Sequence, residues 1–99
     1  MDNSYVDQPD KEFYALRLFV SGTSPNSVRA INNLTLICES NLKDRYELEI
    51  IDIHQQPQLV KNEDVAAVPM LIKYLPLPKR RLVGDMSERD KVLKGLGLL

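Results

Sequence analysis

Residues 14–20, YALRLFV, place Leu16, Leu18 and Val20 on one side of an extended chain and Ala15, Arg17 and Phe19 on the other. That alternation predicts a first strand, with Arg17 leaving its second face only half covered. The pattern then changes period. Ser24 suits an N-cap, and Pro25 suits the first helical position, where its missing N–H costs nothing. Val28, Ile31, Leu34 and Cys38, with Ile37 beside them, follow at three- and four-residue steps, so a helix is predicted to run to Asn41 or the KDR turn. Residues 46–53, YELEIIDI, alternate again. Tyr46, Leu48 and Ile50 oppose Glu47, Glu49, Ile51 and Ile53, and the second face passes from charged to apolar at Ile51.

Pro57 opens one or two helical turns. The next apolar run, VAAVPMLIKYL (65–75), contains a proline, which cannot donate to a sheet ladder. Val68 is pushed towards extended geometry by that proline, and Pro69 is a candidate for a cis peptide at the mouth of a strand. The turn PLPKR, a short strand at RLVGD and a last helix complete the chain. Ser87 and Asp90 offer a capping-box start, and Val92, Leu93 and Leu96 an apolar face. The order β-α-β-α-β-β-α, with proline before the third strand, is the thioredoxin plan. Residues 1–12, polar and acidic, read as a flexible lead-in to a single domain over 13–99.

Composition narrows the function classes. Net charge is −1, which exerts no overall pull on nucleic acid or anionic lipid. No apolar run approaches the roughly 20 residues that span a bilayer. The first dozen residues carry no signal-peptide pattern, and a single cysteine forms no internal disulfide, so a cytoplasmic protein is expected. Gly22 to Asn26, where a thioredoxin carries C-x-x-C, contain no thiol. Cys38 lies on the helical stripe and reads as a structural core thiol. His54 ends the second strand with no second ligand or nucleophile in view, so it reads as a surface histidine, and no metal or cofactor is expected. Lys73, Lys79, Arg80, Arg81 and Arg29 are the notable cations. Without aromatic interleaving, PKRR reads as a solvated turn before it reads as a nucleic-acid contact.

SPNSVRA and LPLPKRRLVGDMSERDKVL, at this separation and with IIDIHQQPQL between them, resemble the KaiB family across Tyr14 to Leu99. The resemblance implies a non-enzymatic protein of a circadian rhythm or of stress adaptation. Its partner would be a KaiC-like hexameric ATPase, contacted through residues matching Tyr14, Arg29, Lys73, Arg80 and Arg81. It also implies a second fold, β-α-β-β-α-α-β, in which the latter half is rearranged and the chain self-associates as a dimer or tetramer. Glu47 and Glu49 stand where cyanobacterial relatives tend to carry a small residue and a lysine, and Asp64 where lysine is frequent. KaiA binding is therefore not expected. In the thioredoxin-like state one helix is expected over 87–98, with Gly95 and Gly97 each costing about 1 kcal/mol against alanine. On that reading Gly95→Ala favours this state. The alternative reading is a thioredoxin-fold oxidoreductase or interaction module without redox cysteines.

Overall fold

The computed structural model describes residues 12–99, so of the lead-in only Glu12 falls within it. The elements are β1 (Tyr14–Val20), α1 (Pro25–Asn41), β2 (Tyr46–Asp52), α2 (Pro57–Glu63), β3 (Met70–Leu75), β4 (Arg80–Val83) and α3 (Arg89–Leu96). The strands form one sheet in the order β2-β1-β3-β4. β1 pairs parallel with β2, through the α1 crossover, and antiparallel with β3, while β3 and β4 make an antiparallel hairpin. This is the expected thioredoxin-like arrangement.

The alternation in β1 sorts the core into two layers. Leu16, Leu18 and Val20 pack with Leu34, Ile37 and Cys38 of α1 and with Val92, Leu93 and Leu96 of α3. Phe19 points the other way, to Ile51, Met70 and Ile72, where Leu59 and Val60 of α2 give partial cover. Burying a side chain of this size stabilises by roughly 1.5–3 kcal/mol. Ile51 is where β2 becomes buried, and Arg17 is half-buried, both as the pattern required.

The α1 cap forms as expected: the Ser24 hydroxyl accepts from the Ser27 backbone N–H at 3.3 Å, with Pro25 in the first turn. The predicted stripe holds at Leu34, Ile37 and Cys38 and in part at Ile31, and differs in the first turns. The buried positions of the helix are Ser27, Ala30, Leu34, Ile37 and Cys38, while Val28 is exposed. The inward place of Ser27 instead of Val28 has a local reason. Ser27 Oγ accepts from Ser21 N–H at 3.0 Å and from the Ser24 hydroxyl at 2.9 Å, so the small polar residue is satisfied while facing inward.

In the second half the Pro69 expectation holds and the start of α3 does not. The Val68–Pro69 peptide is cis, as are Leu75–Pro76 and Leu77–Pro78. Pro69 lies just before β3, and its carbonyl accepts from Gly84 N–H at 3.0 Å. Ser87 does not cap α3. Its backbone N–H turns back to the Asp85 carboxylate at 3.0 Å, and the helix begins two residues beyond it, at Arg89.

The two glycines expected to weaken α3 do not behave alike. Gly97 lies past the helix, at φ 80°, a left-handed conformation that glycine adopts without a side-chain clash. Its N–H donates to Lys94 O at 3.0 Å and that of Leu98 to Leu93 O at 2.8 Å, the paired bonds of a Schellman termination. Gly97 therefore closes the helix and imposes no helical penalty. Gly95 is inside α3, against β4: a Cβ there would lie 2.4 Å from Leu82 Cδ1 and 2.9 Å from its Cγ. The expectation that Gly95→Ala favours this fold meets an opposing contact, because an added methyl has to displace the Leu82 side chain.

Candidate interaction site at the β3–β4 hairpin

The register of the hairpin decides where the cations go. Lys73 lies opposite Arg80, and Ile72 opposite Arg81. Directly opposed residues share a face, and neighbours along a strand do not. Lys73 and Arg80 therefore lie on the side of α3, and Arg81 on the side of α2. Arg29, on α1, joins neither group: it pairs with Asp85, with Nε to Oδ2 at 3.3 Å, and bonds Asn26. The five cations gathered from the sequence thus occupy three places.

On the α2 side they converge on Glu63. Lys79 Nζ reaches its carboxylate at 2.9 Å, the Tyr74 hydroxyl donates to it at 2.8 Å, and Arg81 Nη2 lies 3.5 Å away while donating to the Glu63 carbonyl at 3.2 Å. The Tyr74 ring lies between two cations, Lys79 at 5.1 Å and Arg17 at 5.4 Å from its centroid. Arg17 continues to Glu49 on β2 at 2.9 Å. Burial alone would raise the Glu63 carboxyl, but the hydrogen bonds from Lys79 and Tyr74 outweigh it and hold the group below its ordinary range. Burial, and then the bond to this carboxylate, push the Tyr74 phenol up to about 12. Sequence reading missed Glu63 because nothing local links it to Tyr74, Lys79 and Arg81, which follow 11, 16 and 18 residues later on the hairpin.

On the α3 side the cations have no such anchor. Lys73, Arg80 and Lys94 line one cleft of about 180 Å³ together with Tyr14, the Pro76–Pro78 turn and Gly97. Lys73 is only 4% exposed and Tyr14 likewise 4%. Burial, and then the neighbouring Arg80, lower the Lys73 ammonium from its ordinary range. Glu12, at the edge of the cleft, acts the other way.

The opposite end of the sheet, where β1 and β2 finish, is where a thioredoxin would carry its thiols. There Ser21 Oγ lies 3.1 Å from His54 Nε2, so the histidine is exposed but not unpartnered. Cys38 is buried in α1, and burial, followed by Glu39, pushes its thiol up to about 12. It does not supply a thiolate at neutral pH. Among the described residues no cluster of three or more His, Cys, Asp or Glu is placed to hold a metal. No helix among them is long and apolar enough to cross a membrane.

The fold is that of the thioredoxin-like proteins. The chain superposes on the N-terminal domain of Synechococcus elongatus SasA with TM-score 0.69 at 24% identity, covering 89% of this chain and 87% of that one. It superposes on yeast mitochondrial thioredoxin 3 with TM-score 0.71 at 14% identity, over 91% and 82%. Sequence relationships are narrower. Residues 17–98 match the KaiB domain. The chain is 48% identical over 89 residues to the circadian clock oscillator protein KaiB of a Prochlorococcus marinus strain, covering 90% of this chain and 85% of the relative. It is 47% identical over 91 residues to the KaiB of Thermosynechococcus vestitus, covering 92% and 84%. This chain belongs to the KaiB family.

Proposed function

We propose that the chain is a non-enzymatic, cytoplasmic regulator that binds a KaiC-type hexameric ATPase and modulates its ATPase and phosphorylation cycle, in a circadian rhythm or in stress adaptation. The observation that carries this reading is the KaiB-domain match over residues 17–98, at 48% identity to a clock oscillator protein. The contact residues on this reading are Tyr14, Arg29, Lys73, Arg80 and Arg81. They are not equally available: Arg29 and Arg81 would have to exchange Asp85 and Glu63 for a partner's carboxylates, whereas Arg80 has no described ion pair to break. Exposed Glu47 on the edge strand, and Glu49 beside it in its pair with Arg17, argue against a KaiA-type partner that needs a basic edge.

The reading includes a fold change. The second half would pass into β-α-β-β-α-α-β order, and that state would self-associate as a dimer or tetramer. Support lies in the modest size of what must be undone, since α3 has eight residues and α2 buries no residue fully.

Capture of the host's KaiC-type ATPase tests the proposal. Arg80→Ala combined with Arg81→Ala is expected to weaken capture while leaving the circular-dichroism spectrum of the folded protein unchanged. Affinity that is equal for the variant and the parent, at both low and moderate salt, would reduce the cations to a solubilising face. Insulin reduction by the purified chain is expected to show no turnover.

A further inference from the structure

We propose that Tyr74, Lys79 and Arg81 form a receptor for an acidic side chain of a partner protein, and that Glu63 of α2 fills this receptor as an internal competitor. All three donors belong to the hairpin, and they converge on one point. Lys79 Nζ and the Tyr74 hydroxyl lie 2.9 and 2.8 Å from the Glu63 carboxylate, and Arg81 Nη2 lies 3.5 Å from it. The Tyr74 ring is flanked by Lys79 and Arg17, at 5.1 and 5.4 Å from its centroid. Two cations and a phenolic donor aimed at one spot match a carboxylate, which they hold by charge-assisted bonds. The cations stay open on their outer side: 41% of the Lys79 side chain and 45% of that of Arg81 are exposed, against 15% for Glu63.

Donors and acceptor are held with different strength. Tyr74 belongs to β3, which is paired by β1 on one side and β4 on the other, and Arg81 lies opposite Ile72 in that hairpin. Glu63 is the last residue of α2, a seven-residue helix with no side-chain cap bond, no fully buried residue and an exit through left-handed Asp64. Leu59 and Val60, half-buried against the Phe19 layer, give that helix its apolar hold. A firm receptor with its acceptor on a weak segment is built for exchange: an incoming Glu or Asp takes the place of Glu63 as α2 withdraws. The internal carboxylate lowers the apparent affinity by the fraction of time it occupies the site. Lys79 and Tyr74 thus join Arg81 as contact residues, and Glu63 sets their availability. The inference rests on the ATPase reading only for which protein brings the acidic side chain.

The test titrates the isotope-labelled full chain with a hexaglutamate peptide at constant ionic strength, followed by the backbone amide shifts of Tyr74, Lys79 and Arg81. Glu63→Gln is expected to tighten binding by about threefold to tenfold, the worth of one or two partly exposed ion pairs. Asp64→Asn removes the same charge one residue away, at an exposed left-handed position that asparagine tolerates, and should change affinity by less than about twofold. With Lys79→Gln and Arg81→Gln in place, the gain from Glu63→Gln should vanish. Amide shifts of β1 and β3 in the free variants, matching the parent, report that the sheet is kept. Unaltered affinity of Glu63→Gln overturns the proposal, as do equal gains from Glu63→Gln and Asp64→Asn or a gain that survives without the two cations. Capture of the KaiC-type ATPase by the same variants separates this inference from the function proposed above. The expected peptide pattern with no capture by any variant would sink the ATPase reading and leave the receptor. Capture by the parent, with peptide binding that Glu63→Gln does not strengthen, would do the reverse.

Discussion

The two faces of the β3–β4 hairpin carry almost the same side chains and use them differently. On one face Glu63 gathers Lys79, Arg81 and Tyr74 into a network that reaches across β3 and β1 to Glu49 on β2. On the other, Lys73, Arg80 and Tyr14 surround a cleft, and the hairpin is held by the approach of α3 through Gly95 to Leu82. Charge ties one face and steric fit ties the other. Arg80 and Arg81 are neighbours in sequence, yet only Arg81 has a carboxylate of its own. A run of cations therefore says little about availability until strand parity and tertiary counter-charges are known.

The largest effect that would separate the faces comes from Gly95→Ala. Overpacking against Leu82 costs roughly 1–3 kcal/mol, and improved helix propensity returns about 1 kcal/mol. A net loss of up to about 2 kcal/mol is expected in chemical denaturation. In a Leu82→Ala background the same change should cost much less, a coupling that a double-mutant cycle reads directly. An additive result would show that Gly95 is not set by that contact.

Glu63→Gln is the matching change on the charged face and should cost about 1 kcal/mol, because it weakens one hydrogen bond and two partly exposed ion pairs. Its sign with pH follows from the lowered carboxyl. Stability from Glu63 is fully present above the ordinary glutamate value of about 4.3 and is lost as pH falls through the lower folded value. The variant should lack that acid-limb loss, and an identical acid limb in both proteins would remove Glu63 from its central place.

The smallest effect is expected at Lys73. Its folded ammonium is lowered, so the unfolded chain holds the proton more tightly. Stability therefore rises as pH climbs through the folded value towards the ordinary lysine value of about 10.4. Lys73→Met should remove this alkaline rise and leave stability at neutral pH equal or higher by up to about 1 kcal/mol. A clear loss at neutral pH would mean that the ammonium is already satisfied within the chain.

Much of the architecture could be read from local pattern. The α1 cap at Ser24 and Pro25, the half-covered Arg17 and the burial of β2 at Ile51 depend on neighbours a few residues away. What escaped depends on distant ones. The first turn of α1 buries Ser27 instead of Val28 because Ser27 finds Ser21, and α3 starts late because Asp85 draws back the Ser87 amide. Gly95 read as a helix penalty because propensity is local, whereas the space it leaves is filled by Leu82 from another strand. At the site, the residue types were legible and the division between faces was not. Strand alternation alone would have separated Arg80 from Arg81, but the role of Glu63 required the fold.

One feature of the middle of the chain bears on how the halves communicate. α2 buries no residue fully, has no side-chain cap, and leaves through Asp64 in a left-handed conformation. It nonetheless connects the parallel unit of β1, α1 and β2 to the antiparallel hairpin. In hydrogen–deuterium exchange its amides should lose protection well before those of β1 and β3, through local opening that leaves the sheet intact. The molecule is thus two stiff pieces sharing a central sheet seam, joined along the chain by a weak segment. Its opening costs the partial cover that Leu59 and Val60 give the Phe19 layer and the Glu63 contacts to the hairpin, and leaves the Leu16, Leu18 and Val20 layer as it is.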